Sequence, residues 1–336
     1  MSDGPVTAVQ YGVGPIGARL VQAAIGRGIE VVGAIDIDPE KVGEDVGTVA
    51  GLDREVGVEV TDDAGRALAE EPDLVFHSTA SSIEVVQPQL TEALAAGADV
   101  VSSTEELSYP WRDHQDVAEA LDREARTYGG TVLGTGINPG FAMDLLPAVL
   151  MIPCREVDRV RVDRVQDAAV RRRPLQEKVG AGTSVETFEE EIATQAGHVG
   201  LSQSLAMLAA ALGWDLDEVS ERIDPVVADE PVASDHLSVE AGEVAGIRQV
   251  GTGIVDGDER IELRLEMYLG APDPRDEIRI EGVPDLTVRN EGGFHGDVTT
   301  PEILVNASRR VLEADPGLVT MLDLPPGTWR ETITTE

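Results

Sequence analysis

The chain has almost no cysteine and no long apolar run. Its single cysteine, Cys154, excludes an internal disulfide and any zinc site built from several cysteines. The longest apolar candidate, 205–214, is about half the ~20 residues that a membrane helix requires. The first residues lack the basic start and apolar stretch of an export signal, so we expect a cytoplasmic protein. Nor does any spacing of histidines and acids indicate a metal site.

The charge is one-sided. There are 63 acidic against 26 basic residues, a net charge of −37, and only Lys41 and Lys178 are lysines. Such a surface repels nucleic acid and anionic membranes, so neither is expected as a partner. The acids are scattered among periodic apolar segments, which favours a folded protein over a disordered acidic tail. We interpret the surface as halophilic, adapted to high salt, which screens charges beyond ~3 Å at 1 M.

The first half of the chain alternates between strand and helix. The pattern predicts strands at 6–11, 31–37, 58–61, 74–78, 100–103 and 131–134, with helices after residue 17 and over 83–96 and 113–128. This alternation is typical of a parallel sheet with helices on both faces, a Rossmann-type α/β domain. A length of 336 residues leaves room for a second domain.

The pattern changes after about residue 150. Residues 156–167 alternate as a half-buried strand does, helices are predicted over 185–196 and 202–212, and 246–255 pairs with 260–269 as a hairpin. Further strands at 277–280 and 286–290 complete a mostly antiparallel α+β domain. A last helix over 301–314 is expected to pack back on the first domain. We therefore predict one domain of residues 1–145 and 297–336 and another of 146–296.

A glycine-rich turn follows the first strand. Gly12 allows the tight turn, Gly14 lets a pyrophosphate approach the backbone, and Gly17 lets the helix pack on the strand. The turn also carries Pro15 and Ile16 at the start of a helix, whose N-terminus attracts anions. The pattern favours dinucleotide binding, and the alternative is a strand–helix turn without a ligand.

Asp36 ends the second strand. Its carboxylate is expected to bind the adenosine ribose hydroxyls, although a solvated strand end is the alternative reading. A 2′-phosphate there would meet both Asp36 and Asp38 without an adjacent arginine, which favours NAD over NADP. NADP stays open because Lys41 could reach the phosphate. We also place Thr79, after the fourth strand, among the cofactor contacts.

Several segments resemble the 2,4-diaminopentanoate dehydrogenase family, near dihydrodipicolinate reductase and the amine dehydrogenases. They are GVGPIG (12–17), VVGAIDIDPEKVGEDVG (31–47), STEELSYPW (103–111), GTGINPGFAMDLLP (134–147), RRRPLQEKVGAGTSVETFE (171–189), GHVGL (197–201) and GGFHGDVTTPEILVN (292–306). STEELSYPW and GTGINPGFAMD are the most specific. The resemblance implies a Rossmann-type domain, a substrate and dimerisation domain, and a homodimer. It also implies NAD(P)-dependent oxidative deamination of a primary amine, or reductive amination of a ketone with ammonia.

Glu105 and Glu106 follow the fifth strand, at the edge where nicotinamide and substrate meet. Amine oxidation needs a base for the proton on nitrogen and for the water that adds to the iminium, and a carboxylate can also stabilise that positive charge. The resemblance places the catalytic glutamate in this stretch. We assign it to Glu105, with Glu106 as the alternative. The alternative is that both are surface acids of an acidic protein, without a catalytic role.

The resemblance also suggests pocket residues. Asn138 follows the sixth strand and could hold the nicotinamide amide or the substrate, while Phe141, expected to open the next helix, could wall the amine pocket or pack in the core. His198 resembles a substrate-pocket histidine of the family. A role is also considered for His295, with Thr300 closing the pocket.

Arg171, Arg172, Arg173 and Lys178 form the densest basic stretch. It could bind a substrate carboxylate or the cofactor phosphates, or pair with acids at a subunit interface. Among these residues we select Arg172 and Lys178 as substrate contacts. Lys178 with the following Gly-Thr resembles the dihydrodipicolinate reductase motif. Its paired histidines are arginines here, however, and the serine before Gly-Thr is absent.

Three hypotheses follow. The first is an NAD(P)-dependent dehydrogenase of an amine or diamino acid, whose substrate binds between the domains. The second is a reductase of a cyclic imine or enamine acid such as dihydrodipicolinate, which needs a strong dicarboxylate site. The third is a cofactor-binding regulatory protein without turnover. The residues leave the exact substrate, the direction of the reaction and the oligomeric state open.

Overall fold

The computed structural model describes residues 5–193 and 198–333, and the chain forms two compact units. The first unit comprises the described residues up to Phe141 together with those from Gly296 onward. The second runs from Ala142 to His295. No helix in the described residues is long and apolar enough to cross a membrane.

Strands and helices are numbered here in chain order within the described residues. The strands are β1 Thr7–Tyr11, β2 Glu30–Ile35, β3 Val60–Thr61, β4 Leu74–His77, β5 Asp99–Ser102, β6 Thr131–Gly134, β7 Glu156–Asp167, β8 Glu218–Val227, β9 Val232–Ala233, β10 Ser238–Val239, β11 Val244–Val255, β12 Asp258–Tyr268, β13 Arg275–Val283, β14 Leu286–Glu291 and β15 Gly317–Val319. The α-helices are α1 Pro15–Gly26, α2 Val46–Val49, α3 Ala64–Leu68, α4 Ile83–Ala95, α5 Gln115–Tyr128, α6 Leu145–Leu150, α7 Arg173–Lys178, α8 Val185–Thr187, α9 Leu201–Leu212 and α10 Gly296–Leu312.

The first unit is built on a parallel sheet of seven strands in the order β15-β6-β5-β4-β1-β2-β3. The strands are short and almost wholly buried, because helices cover the sheet. The chain winds from β1 through β2 to β3 and then returns to β4 on the other side of β1. The strand order reverses at β1 and β4, and ligands of open α/β sheets bind in the crevice beside such a point.

The helices of the first unit bury one apolar face each. Ile83, Val86 and Leu90 on α4 are fully buried, and Leu121 on α5 joins the same core cluster. The helix α10 packs against α1, β5 and β6, although it lies more than 150 residues further along the chain than β6. The edge strand β15 was not predicted because three residues are too few to show a period.

The second unit contains a six-stranded sheet in the order β14-β13-β7-β12-β11-β8. Its pairs are antiparallel except β7 with β12, which is parallel. The helix α9 covers one face, and it approaches closely at Gly251, where a Cβ would lie 3.0 Å from the side chains of Leu201 and Leu205. The predicted combination of a Rossmann-type sheet and an α+β unit with a mostly antiparallel sheet is confirmed.

The other face of this sheet carries ion pairs. Val160 and Val162 of β7 are fully buried, whereas Arg161 and Asp163 alternate with them and bond to each other at 2.9 Å. Glu262 of β12 lies 3.3 Å from Arg161, so acids and arginines form a network of ion pairs across neighbouring strands. Arginines are therefore concentrated against carboxylates on this face.

The predicted hairpin is confirmed, and its turn is tight. Val255 pairs with Asp258, so Asp256 and Gly257 alone form the loop, and their φ angles of 55° and 81° are those of a type I′ turn. The strand β8 was missed, since its exposed face carries Glu218, Ser220 and other polar residues instead of a regular alternation.

Three helix predictions differ from the structure. The prediction that Phe141 opens a helix is wrong, because turns run to Asp144, whose carboxylate caps α6 at the Leu145 amide, 2.6 Å away. The helix predicted over 185–196 is α8 followed by a π-helical turn, Phe188–Ile192, and its last residues lie outside the described residues. The final helix begins at Gly296 and therefore includes Thr300.

Candidate active site

The loop between β1 and α1 has room for glycine only at two positions. Gly12 has φ +89°, and a Cβ on it would lie 2.7 Å from the Ser78 carbonyl oxygen. On Gly17 a Cβ would lie 1.9 Å from the Gly12 carbonyl oxygen. Both contacts are closer than real Cβ atoms come to other atoms, so these glycines let the loop, the helix and the end of β4 pack together.

Gly14 differs from its two neighbours because it borders open space. A Cβ there would meet nothing within 4 Å. No side chain caps α1 at Gly14, and Pro15, which has no N–H, occupies the first turn. The amides of Ile16 and Gly17 have no intrahelical acceptor and lie at the positive end of the helix dipole. This open, electropositive end suits the pyrophosphate of a dinucleotide.

Asp36 lies directly after β2, beside this loop. Its Oδ2 accepts a hydrogen bond from the Val13 amide at 2.8 Å, and its Oδ1 accepts one from the Asp38 amide at 2.9 Å. Partial burial raises the pKa of Asp36, but the hydrogen bonds from Asp38, Lys41 and Val13 outweigh it, and the net pKa lies below the usual value. The carboxylate is therefore ionised and oriented at neutral pH, as a hydrogen-bond acceptor for ribose hydroxyls must be.

Lys41 is already engaged with acids. Its Nζ lies 3.1 Å from Asp36 Oδ2 and 3.3 Å from Asp38 Oδ2. A phosphate placed beside these side chains would meet two carboxylates that share one ammonium group.

Glu105 and Glu106 begin a 3₁₀ turn after β5, and their surroundings differ. Glu106 Oε2 accepts the amide of Ile83, the first residue of α4, at 2.9 Å, and lies 3.5 Å from His114 Nε2. The partly buried Glu105 side chain has no hydrogen bond or ion pair among the described residues. Glu106 is thus held as a helix cap, whereas the Glu105 carboxylate is available for chemistry.

The loop after β6 lies at the same edge of the sheet as Glu105. Gly140 has φ +123°, and its Cβ position is 2.5 Å from the Gly136 amide nitrogen, so the loop is tightly folded. The Ile137 amide donates to Thr300 Oγ1 at 3.3 Å, which places this threonine of α10 against the loop. Asn138 is 6% exposed. The structure therefore places Thr300 against the loop that carries Asn138, and the role of both as pocket residues stays a prediction.

In the second unit, His198 is positioned through its backbone. Its amide donates to Gln249 Oε1 at 2.7 Å, and Gln249 Nε2 donates to its carbonyl oxygen at 3.2 Å. Gln249 lies on β11 and is 1% exposed. The sequence analysis missed it, although a glutamine at a buried position of a strand is a signal in itself.

The basic stretch is divided by the fold. Arg171 is buried, whereas Arg172 and Lys178 are exposed and Arg173 bonds to Glu177 at 2.7 Å. Sequence analysis selected Arg172 and Lys178 within this stretch. The structure instead buries Arg171 close enough to Arg164 for their charges to interact.

Arg164 is the other buried arginine of this region. It pairs with Asp276 at 2.5 Å and donates to the Phe294 carbonyl at 2.8 Å. Burial, together with the neighbouring charge of Arg171, lowers the pKa of Arg164, and Asp276 opposes this shift. The position of Arg164 within β7 gave no indication of this environment, because acids and arginines alternate along the whole strand.

In the sequence, His77 carries no signal beyond packing or exposure. It ends β4, it is fully buried, and burial lowers its pKa to about 4. Its ring bonds to Ser102 at 2.9 Å and to Gln89 at 2.8 Å, and Thr79 lies 3.1 Å away. The exposed Thr79 thus lies between this network and the Gly12 loop, since its Cγ2 is 2.9 Å from the Cβ position of Gly12. Within residues 5–193 and 198–333, no group of three or more His, Cys, Asp or Glu could hold a metal ion.

Comparisons with known proteins agree with one another. Residues 141–333 match the family model described as the 2,4-diaminopentanoate dehydrogenase C-terminal domain. The 2,4-diaminopentanoate dehydrogenase of Acetoanaerobium sticklandii is 31% identical over 331 residues, covering 95% of this chain and 93% of the relative. An amine dehydrogenase of Streptomyces virginiae is 28% identical, covering 95% and 96%. The solved amine dehydrogenase of Mycobacterium smegmatis superposes with a TM-score of 0.86 at 28% identity, covering 98% of both chains.

Proposed function

The chain belongs to the 2,4-diaminopentanoate dehydrogenase family, and from that premise we propose that it is an NAD-dependent dehydrogenase of primary amines. In the oxidative direction, an amine, NAD⁺ and water give a ketone, ammonia, NADH and a proton. In the reverse direction, the ketone, ammonia, NADH and a proton give the amine, NAD⁺ and water. The substrates are 2,4-diaminopentanoate, a related diamino acid, or a small amine.

The observation that carries this proposal is the carboxylate of Glu105. It follows β5, its side chain has no hydrogen bond or ion pair in the described part of the chain, and it shares a sheet edge with the glycine loop. Its neighbour Glu106 is held at the start of α4. A dehydrogenase of amines needs one such unengaged acid beside its coenzyme, because both nitrogen and water must lose protons.

The residues of the first unit fit NAD. The open space at Gly14 and the uncapped start of α1 accommodate a pyrophosphate, with Gly12, Pro15, Ile16 and Gly17 shaping the loop.

The ribose end of the site also fits NAD. The ionised Asp36 accepts hydrogen bonds from the ribose hydroxyls, and Thr79 borders the loop. NAD is favoured over NADP because Lys41 is shared by Asp36 and Asp38.

Each chemical step is assigned to a residue of this chain. NAD supplies the acceptor for the hydride that leaves the amine carbon. Glu105 removes the extra proton of the substrate's ammonium group, so that the nitrogen lone pair can assist the departure of hydride, and releases that proton to solvent. As a carboxylate again, it stabilises the positive iminium. The same carboxylate accepts a proton from the water that adds to the iminium carbon. In the reverse direction it deprotonates ammonium as nitrogen attacks the ketone.

The remaining assignments complete the proposal. The first unit binds the dinucleotide, with Asn138, Phe141 and Thr300 as contacts for the nicotinamide or the amine. In the second unit, His198 contacts the substrate, and the basic stretch with Arg172 and Lys178 receives a substrate carboxylate. The enzyme acts as a homodimer, in keeping with the family resemblance, and we place it in the cytoplasm, the compartment expected from its sequence.

One set of assays tests the proposal against its two rivals. Purified chain is mixed with NAD or NADP and either 2,4-diaminopentanoate or a panel of short primary amines, and NADH formation is followed. NADH oxidation with dihydrodipicolinate, the alternative substrate, is measured beside it. Reduction of NAD by an amine supports the proposal, whereas turnover only with the cyclic acid favours an imine reductase. Tight NAD binding without turnover in either assay favours a regulatory protein.

A further inference from the structure

A buried histidine lies beneath the proposed site at the point where the strand order reverses. His77 is the last residue of β4, pairs with Tyr11 of β1 and with Ser102 of β5, and is fully buried. The Tyr11 ring meets it edge to face, with centroids 5.5 Å apart. Burying an imidazole costs more free energy than burying an apolar side chain unless its nitrogens are hydrogen-bonded. The partners of the two ring nitrogens therefore matter.

The imidazole of His77 is neutral at neutral pH. Burial lowers its pKa to about 4, against a smaller opposing effect of the bond to Gln89. Gln89 Oε1 lies 2.8 Å from Nε2, and a neutral ring has one nitrogen that donates and one that accepts. Ser102 Oγ lies 2.9 Å from Nδ1 and 3.0 Å from Thr104 Oγ1, so it joins the ring to the segment that precedes Glu105. His77 is therefore a fixed connector, with one donor and one acceptor.

The Nδ1 side leads to the turn that carries Glu105. Ser102 Oγ accepts the amide of Thr104 at 3.1 Å, and Thr104 Oγ1 donates to the Ala80 carbonyl oxygen at 2.8 Å. Thr104 is 1% exposed and immediately precedes the 3₁₀ turn that begins at Glu105. The connection runs from the ring through Ser102 to the backbone that orients Glu105.

The Nε2 side leads to the coenzyme loop. Gln89 Oε1 also accepts the Thr79 hydroxyl at 2.7 Å. Thr79 Cγ2 is 2.9 Å from the Cβ position of Gly12. One residue thus connects the loop that faces the coenzyme with the turn that carries the base.

We propose that His77 is a positioning residue, whose two ring nitrogens hold Thr79 beside the coenzyme loop and Glu105 in its reactive orientation. This inference rests on the proposed function. It assigns no chemical step to His77, which is fully buried. It assigns Ser102 to the orientation of the base and Gln89 to the coenzyme side.

Single substitutions separate the two sides. Ser102→Ala removes the Nδ1 side, and we expect kcat with 2,4-diaminopentanoate to fall about tenfold while KM for NAD stays within about twofold, since a misplaced base slows the chemical step. Gln89→Leu removes the Nε2 side, and we expect KM for NAD to rise about fivefold, since uniform binding is lost. His77→Leu combines both effects, and His77→Gln, whose amide both donates and accepts, recovers part of the loss.

A matched control distinguishes positioning from general destabilisation. Ser308 is also a fully buried serine, and its hydroxyl donates to the Val305 carbonyl oxygen at 2.7 Å within α10. Ser308→Ala is expected to lower Tm as much as Ser102→Ala does, yet to leave kcat unchanged. The double variant Ser102→Ala with Glu105→Gln should be no slower than Glu105→Gln alone, because the serine acts through Glu105.

The outcomes are distinct. An active wild type in which Ser102→Ala behaves like Ser308→Ala, or in which Ser102→Ala slows Glu105→Gln further by the same factor, overturns this inference and leaves the proposed function standing. A wild type that reduces no NAD with any amine overturns the proposed function, and this inference with it.

Discussion

Two adjacent glutamates offer the sharpest test of the site, because the same substitution should have opposite consequences at each. Glu105→Gln removes a carboxylate whose side chain has no hydrogen bond or ion pair among the described residues. We expect turnover to fall at least ~100-fold, the scale of a general base, which raises the barrier by ~2.7 kcal/mol. The free energy of unfolding should change by less than ~0.5 kcal/mol, as for a substitution that breaks no structural contact.

Glu106→Gln should behave in the opposite way. Glu106 caps α4 through the Ile83 amide at 2.9 Å, and the residue that precedes the helix, Ser82, makes no side-chain cap bond of its own. A glutamine can still accept this bond, but the charge at the positive end of the helix dipole is lost. We expect a loss of ~1 kcal/mol in unfolding free energy and turnover within about threefold of wild type.

Both variants are measured by urea denaturation and by the initial rate of NADH formation at saturating amine and NAD. NAD titration of each variant shows that the coenzyme site is intact. The reasoning is refuted if Glu106→Gln abolishes turnover while Glu105→Gln retains it, or if Glu105→Gln loses activity only because it unfolds.

Four further predictions follow from local geometry and charge. Gly14→Ala should fold normally but bind NAD at least ~10-fold more weakly, because its methyl group fills the space left for the pyrophosphate. Gly17→Ala should unfold at much lower urea, because its Cβ would lie 1.9 Å from the Gly12 carbonyl oxygen; equal stability of the two variants contradicts this reading. Burial raises the pKa of Asp99 to about 6; the Thr131 amide opposes this shift and the charge of Asp73 adds to it. The stability that this carboxyl contributes therefore falls as the pH rises from ~4 through about 6. The full pKa shift corresponds to at most ~3 kcal/mol of unfolding free energy, and to about 2 kcal/mol after screening by solvent. In urea denaturation, Asp99→Asn should therefore be more stable than the wild type by about 2 kcal/mol at pH 8. At pH 4 it should not be more stable. Finally, a net charge of −37 predicts that Tm rises between low salt and about 1 M NaCl, where the Debye length is ~3 Å; a Tm that falls over this range opposes the halophilic interpretation.

The sequence by itself determined the features that depend on local periodicity and local chemistry. Alternating apolar runs and glycine punctuation predicted the parallel sheet and the antiparallel one, because a strand or helix must present its apolar residues at its own period. The turn at Gly12 and Gly17 was predictable for a similar reason, since only a side chain of one hydrogen fits such close backbone approaches. The family resemblance also came from short contiguous segments, and it is confirmed.

Only the tertiary structure decided the environment of each of several chemically similar residues. Nothing in Glu105-Glu106 tells which carboxylate caps a helix, because the amide that Glu106 binds belongs to Ile83, more than 20 residues earlier in the chain. Likewise, the buried arginines and the bonds of His77 join strands and helices that are distant in sequence. Hydrogen bonding and desolvation depend on what surrounds a group in space, and only folding assembles those surroundings.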